Sequence, residues 1–151
     1  PLLYGGKILT TLDDCFEKGL LKKTTPSKRL ALQDLQQAEF FLKEALDLTE
    51  LKKKEMGSIA LYNAAFHAAR ALLFKDGIKE RSHYCLQKYI EQEYCKKDLL
   101  SPKESALFDV LRGIRQEIQY GTTKIHFEED LTELCDQTEQ FIQKIAKLLK
   151  S

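Results

Sequence analysis

Glycine and proline are scarce, with seven and three residues in a chain of 151. That leaves too few turn signals for an all-β sandwich or barrel, which needs one at nearly every strand end. Charge of one sign is lacking as well: 24 Lys and Arg face 23 Asp and Glu, a formal net charge of +1. So even a balance excludes a polycationic nucleic-acid coat and confines any anion site to a local cluster. Nowhere do about eighteen apolar residues run together, so no membrane span is expected. The first residues show no charged leader followed by an apolar stretch and a small-residue cleavage site, and a cytoplasmic, reducing location is the resulting expectation. Cys15, Cys85, Cys95 and Cys135 are scattered without a Cys-x-x-C pair and read as small core hydrophobes. Glycine-rich phosphate loops and a Gly-x-Ser-x-Gly turn are missing too, which removes the usual seats of P-loop and α/β-hydrolase chemistry.

What is present favours helices. Hydrophobic residues make up 43% of the chain and charged residues 31%, the balance of one globular domain whose core forms without disulfide staples or a structural metal. From Ser27 to about Lys52 the residues Ala31, Leu35, Ala38, Leu42, Ala45 and Thr49 step by four and three along one helical stripe, widened by Phe41, Leu46 and Leu48. Lys52, Lys53 and Lys54 fall where that helix should end, and its carbonyl dipole accounts for them without a polyanion ligand. Glu55 to Asp76 is the least polar segment, with Ile59, Tyr62, Phe66, Ala69 and Leu73 on one face, and predicts the central helix, stopped by Gly77. A loop through Lys79 to Arg81 is expected next, followed by a short helix capped by Ser82 that turns Leu86, Tyr89 and Ile90 inward.

Ser101, Pro102 and Glu104 spell a helix start: a cap, a proline at the first helical position and the glutamate of a capping box. Leu107, Val110, Leu111, Ile114 and Ile118 predict the buried stripe of that helix. A last helix from about Glu128 to Lys150 buries Leu131, Leu134, Cys135, Thr138, Phe141, Ile142, Ile145 and Leu148. Thr11 with Asp14 caps a short leading helix, and the first ten residues, with Gly5 and Gly6, are expected to be disordered. The fold class is therefore all-α: an antiparallel up-and-down helical bundle of about five helices with a short N-terminal helix. Residues 1–26 form an N-terminal extension, and residues 27–151 the bundle domain.

Polar residues in apolar company mark the candidate site. Asn63, His67 and Arg70 form a polar stripe on the central helix, which either hydrogen-bonds to neighbouring helices or walls a groove. Arg112, Arg115 and Gln119 share a stripe of the helix that begins at Ser101, and Tyr120 closes it. A guanidinium here either holds a phosphate bidentately or pairs with Glu117. His83 precedes the short helix as a capping histidine or a groove residue. Glu80 and His83 match the Glu-x-x-His half of a di-iron motif, but the second copy and the further glutamates are missing, so no metal site is expected.

Three stretches together resemble the HEPN domain, and most closely its prokaryotic UPF0332 branch. Ile59–Leu73 is similar to that branch's YYAMFHAARALL helix, Arg81-Ser82-His83 to its Lys-x-His element, and Leu111–Tyr120 to its LxxxRxxADY helix end. The resemblance spans about Ser27 to Lys150. It implies a bundle of four or five helices, a homodimer, and a site at the end of the Arg115 helix, with Tyr120, His83, Arg70 and Arg112 as companions. It further implies a nucleotidyltransferase as protein partner in a two-gene, toxin–antitoxin-like module, a nucleotide or RNA as ligand, and no cofactor. Ribonuclease members carry Arg, four to six residues and then His, whereas here Arg115 is followed after four residues by Tyr120. A phenol, with a reference pKa of about 10, is a weak general base beside an imidazole of about 6.5. The expectation is thus a nucleotide- or RNA-binding module with a degenerate ribonuclease motif. The alternatives are a metal-independent ribonuclease using His83 or His126, and a purely structural dimeric adaptor.

Overall fold

The computed structural model describes residues 2–4, 7–9, 11–121 and 131–150. In chain order its elements are β1 (Leu2–Tyr4), β2 (Lys7–Leu9), α1 (Leu12–Glu17), β3 (Leu21–Lys23), α2 (Lys28–Glu50), α3 (Lys54–Asp76), β4 (Ile78–Glu80), α4 (His83–Ile90), α5 (Pro102–Tyr120) and α6 (Leu131–Lys150). A π-helical stretch, Glu91–Cys95, continues α4.

The least polar segment becomes the centre. Around α3 the residues Leu61, Tyr62, Ala64, Ala65, Leu72 and Leu73 lose all solvent contact, and α2, α4, α5 and α6 all pack on this helix. Its alanines keep the neighbouring helices close, since they add little bulk between axes. A three-residue connection, Leu51 to Lys53, folds α3 back along α2, as in any helical hairpin. The buried residues of α6 follow the expected stripe, except that Leu149 is buried and Leu148 only partly so. On α5 the buried face is Glu104, Leu107, Phe108 and Leu111, while Val110 turns outward because the face centres between Leu107 and Phe108.

The caps form as the sequence spells them. Thr11 and Asp14 make a reciprocal capping box, with bonds of 3.1 and 3.2 Å. Ser27 and Ser82 each accept a backbone N–H, from Leu30 at 3.1 Å and from Cys85 at 3.2 Å. The Ser101 N–H donates to Glu104 at 3.1 Å, and the other carboxylate oxygen of Glu104 takes Lys144 of α6 at 2.5 Å.

Three expectations need correction. The expected loop at Lys79 is a strand: β4 pairs antiparallel with β3, Leu21 opposite Glu80 and Lys23 opposite Ile78. Ladder partners nearly sixty residues apart leave no local signal in either segment. Within the first ten residues, expected to be disordered, β1 and β2 pair antiparallel, Leu2 opposite Leu9. The scattered cysteines read as core filler, yet Cys15 and Cys85 are joined in a disulfide because α1 packs on α4 and brings their Cα atoms to 5.9 Å. The expected α6 start at Glu128 lies outside the described residues.

Candidate functional site

Helical spacing puts Tyr62, Phe66 and Arg70 along one side of α3, facing the end of β4 and the start of α4. Tyr62 is wholly buried, and its hydroxyl meets His83 Nδ1 at 2.6 Å. Burial pushes the Tyr62 phenol up to about 12, against the pull of the Arg115 and Arg112 charges. It therefore keeps its proton, and the tautomer of His83 sets whether the phenol donates to Nδ1 or accepts from it. Burial, followed by the charges of Arg115, Arg70 and Arg112, holds His83 below the ordinary imidazole value. A neutral imidazole accepting at Nδ1 carries its own proton on Nε2. The His83 ring also stacks on Phe66, with centroids 4.2 Å apart.

From the other side α5 brings Arg115, whose guanidinium carbon lies 5.1 Å from the centre of the Tyr62 ring. Stacking on a ring face leaves the N–H fork of a guanidinium free at its edge, the geometry that grips a phosphate or carboxylate. Among the described residues no carboxylate pairs with Arg115; Glu117, the partner weighed from sequence, does not reach it. One turn earlier, Arg112 makes a long 3.4 Å contact with Asp109. Arg115 and His83 thus meet on Tyr62, and the Arg112 charge acts on both Tyr62 and His83 from a distance.

Arg70 and Tyr120 stand differently. Arg70 grips Asp34 of α2 with Nε at 2.7 Å and Nη2 at 2.8 Å, and its Nη1 lies 3.9 Å from Glu80. His67 adds Nδ1 to the same carboxylate at 3.0 Å and stacks flat on Phe41. Burial alone would raise the Asp34 pKa, but the hydrogen bonds from Arg70 and His67 outweigh it and hold the group below the ordinary carboxylate value. Glu80, whose burial outweighs the Arg70 charge and a backbone hydrogen bond from Ser82, is pushed up. Two of the three residues in the α3 polar stripe are therefore tied to α2, although the Arg70 charge still reaches His83. Tyr120 is 75% exposed and sits about 140° around α5 from Arg115, at roughly 100° per residue. No contact joins it to the Tyr62 cluster. His126 lies outside the described residues.

Sequence reading assigned Tyr62 and Phe66 to the core and passed over Asp34. A signal was available for each. Asp34 falls three residues after Ala31 and four before Ala38, on the buried face of α2, where an acid demands a cationic partner. Tyr62 carries a phenol hydroxyl on the buried face of α3, and such a group demands a partner. Among the described residues no group of three or more His, Cys, Asp or Glu side chains is placed to hold a metal ion, and no helix is long and apolar enough to cross a membrane.

Residues 32–149 match the family model of the HEPN domain. No curated protein matches the chain.

Proposed function

The chain belongs to the HEPN domain family, and from that premise we propose that it is a nucleotide- or RNA-binding module whose anion site is built on Arg115. The observation that carries this reading is the Arg115 guanidinium over the Tyr62 ring, without a carboxylate partner among the described residues, beside the His83 ring bonded to the Tyr62 hydroxyl. A phosphate takes the guanidinium fork, Arg112 adds a second positive charge, and the His83 Nε2–H supplies a neutral donor. Tyr120, exposed and turned away from this cluster, is the part of the helix end open to a protein partner. That partner is a nucleotidyltransferase of a two-gene, toxin–antitoxin-like pair, and the module acts in the cytoplasm as a homodimer of the UPF0332 branch.

The ribonuclease reading needs an imidazole base beside Arg115, and His83 stands there. With Nδ1 bonded to Tyr62, the tautomer decides whether Nε2 donates or accepts, and only an accepting Nε2 serves as a base. The adaptor reading would be favoured by an Arg115 neutralised by the chain's own acids, which the described residues do not provide.

The test is a titration of the purified protein with ATP, AMP and a short single-stranded RNA, run in parallel with Arg115→Ala. Micromolar binding weakened at least tenfold in the variant is expected, about 1.4 kcal/mol or more for a charge-assisted bidentate contact. Equal binding by both proteins sinks the assignment of the site. RNA cut by the parent in the presence of chelator would replace the binding reading with the ribonuclease one.

A further inference from the structure

Residues 11–23 form an arm that packs Leu21 into the core and is bonded to the bundle by a small set of ties. β3 pairs with β4, the Arg81 N–H donates to the Leu20 carbonyl at 2.8 Å, and Cys15 of α1 is bonded to Cys85 of α4. With six residues in α1 and three in β3, neither element holds its shape alone. All these ties land on residues 78–85. The same stretch presents Glu80 to Arg70 and His83 to Tyr62. Cys85 sits in the first turn of α4, two residues after His83, with its N–H on the capping Ser82.

We propose that the Cys15–Cys85 bridge is a redox latch on the anion site: closed, it clamps the arm to α4 and fixes His83; opened by a dithiol reductant, it frees the arm and loosens the first turn of α4. Its effect on binding rests on the reading of the site given above; the latch itself does not. In the opening step a thiolate of the reductant attacks one bridge sulfur, the S–S bond breaks, and the released cysteine takes a proton from water. The second thiol of the reductant then displaces the remaining cysteine, leaving both Cys15 and Cys85 as thiols and the reductant as its cyclic disulfide.

Both cysteines are only 1% exposed, so attack waits until the arm lifts, a local opening of the least supported element. In lifting, the arm gives up the burial of Leu21 and the packing of Leu12, Phe16 and Leu20 on the core, and Leu12, Asp13 and Phe16 meanwhile form one wall of a cleft of about 770 Å³ whose other wall includes Asp76, Ile78 and Tyr89. A chain of this size makes its core without a staple, and in a reducing compartment a bridge of this kind is transient or redox-sensing.

Hydrogen-exchange mass spectrometry of the full chain, oxidised and after native treatment with dithiothreitol, tests the latch, with Cys15→Ser as a permanently open form and Cys85→Ala as its alternate. Reduction should expose two further alkylatable thiols and speed exchange about tenfold or more in residues 11–23 and 82–86, while α6 stays protected. Cys15→Ser should match the reduced parent without reductant. A bridge that resists the reductant until the protein is denatured, a chain that never forms it in air, or an arm whose exchange ignores it would each overturn the proposal. Nucleotide titration of both forms then separates the two readings. Weaker binding after reduction supports the coupling, and equal binding with a loosened arm overturns it. Binding in neither form, with a loosened arm, sinks the site reading and upholds the latch.

Discussion

A carboxylate at 4% exposure survives in a core only if its lone pairs are taken up, and Asp34 meets three donors: Arg70 twice and His67 once. The pairing serves the fold before it serves a ligand, because it locks α2 to the side of α3 that carries Tyr62 and Phe66. Asp34→Asn preserves shape but leaves the Arg70 charge without its counterpart. Arg70 keeps 31% of its side-chain exposure, so water recovers part of the loss, and the expected cost is about 2–3 kcal/mol rather than the full cost of a bare buried charge. Urea denaturation of parent and variant measures it, and a change below about 0.5 kcal/mol, the level of an ordinary surface substitution, would show that the network does not hold α2 in place. At this scale the sequence was half readable. Arg115 and His83, which stand out as polar residues in apolar company, both touch the Tyr62 ring or its hydroxyl, whereas Arg112 reaches it only by charge. Arg70 stood out for the same reason but is committed to Asp34, a partner 36 residues away that helical periodicity alone does not pair with it.

Among the elements, the end of α3 decides how the arm and β4 leave the bundle. Gly77 takes φ +76°, and a Cβ there would come within 2.6 Å of the Thr24 carbonyl and 2.9 Å of the Pro26 ring. The Thr24 N–H is also bonded to the Gly77 carbonyl at 2.8 Å, so the two backbones have no room to part. Gly77→Ala therefore combines left-handed strain with a backbone clash and should cost about 2–4 kcal/mol; Gly113→Ala, at a helical position with nothing within 4 Å, serves as the control and should not destabilise. Thermal melts of both variants compare them, and equal melting temperatures would refute this account of the α3 exit. The helices themselves were legible because each signal is local: stripes at helical spacing, a Thr11–Asp14 box, a Ser101–Glu104 box. The strands were not, since three-residue ladders are defined by what lies across from them. For the same reason two cysteines 70 residues apart gave no sign of their bridge.

Over the whole molecule, these buried pairings make stability depend on pH in a direction that can be worked out group by group. Folded His83 has a pKa held below its ordinary 6.5 by burial and by three arginines. As the pH falls through 6.5 the unfolded chain takes up a proton that the folded chain refuses, so stability drops. Asp34 and Glu104 are both held below their ordinary values of 3.8 and 4.5, because hydrogen bonds from Arg70 and His67, and from Lys144 and Ser101, outweigh their burial. Their contributions are present above those values and are lost as the pH falls through the folded ones. Glu80, raised by burial, runs the opposite way: its folded form binds a proton first on acidification, which recovers a little stability above 4.5. The urea midpoint of the parent should therefore fall in two stages, one beginning below pH 6.5 and one below about 4.5, separated by the shallower stretch in which Glu80 opposes the decline. His83→Gln keeps a neutral polar side chain beside Tyr62 and should remove the first stage while leaving the second. A first stage that persists undiminished in His83→Gln would mean that the imidazole facing Tyr62 and Arg115 is not held neutral by its surroundings. The donor role assigned to it in anion binding would then fail with it.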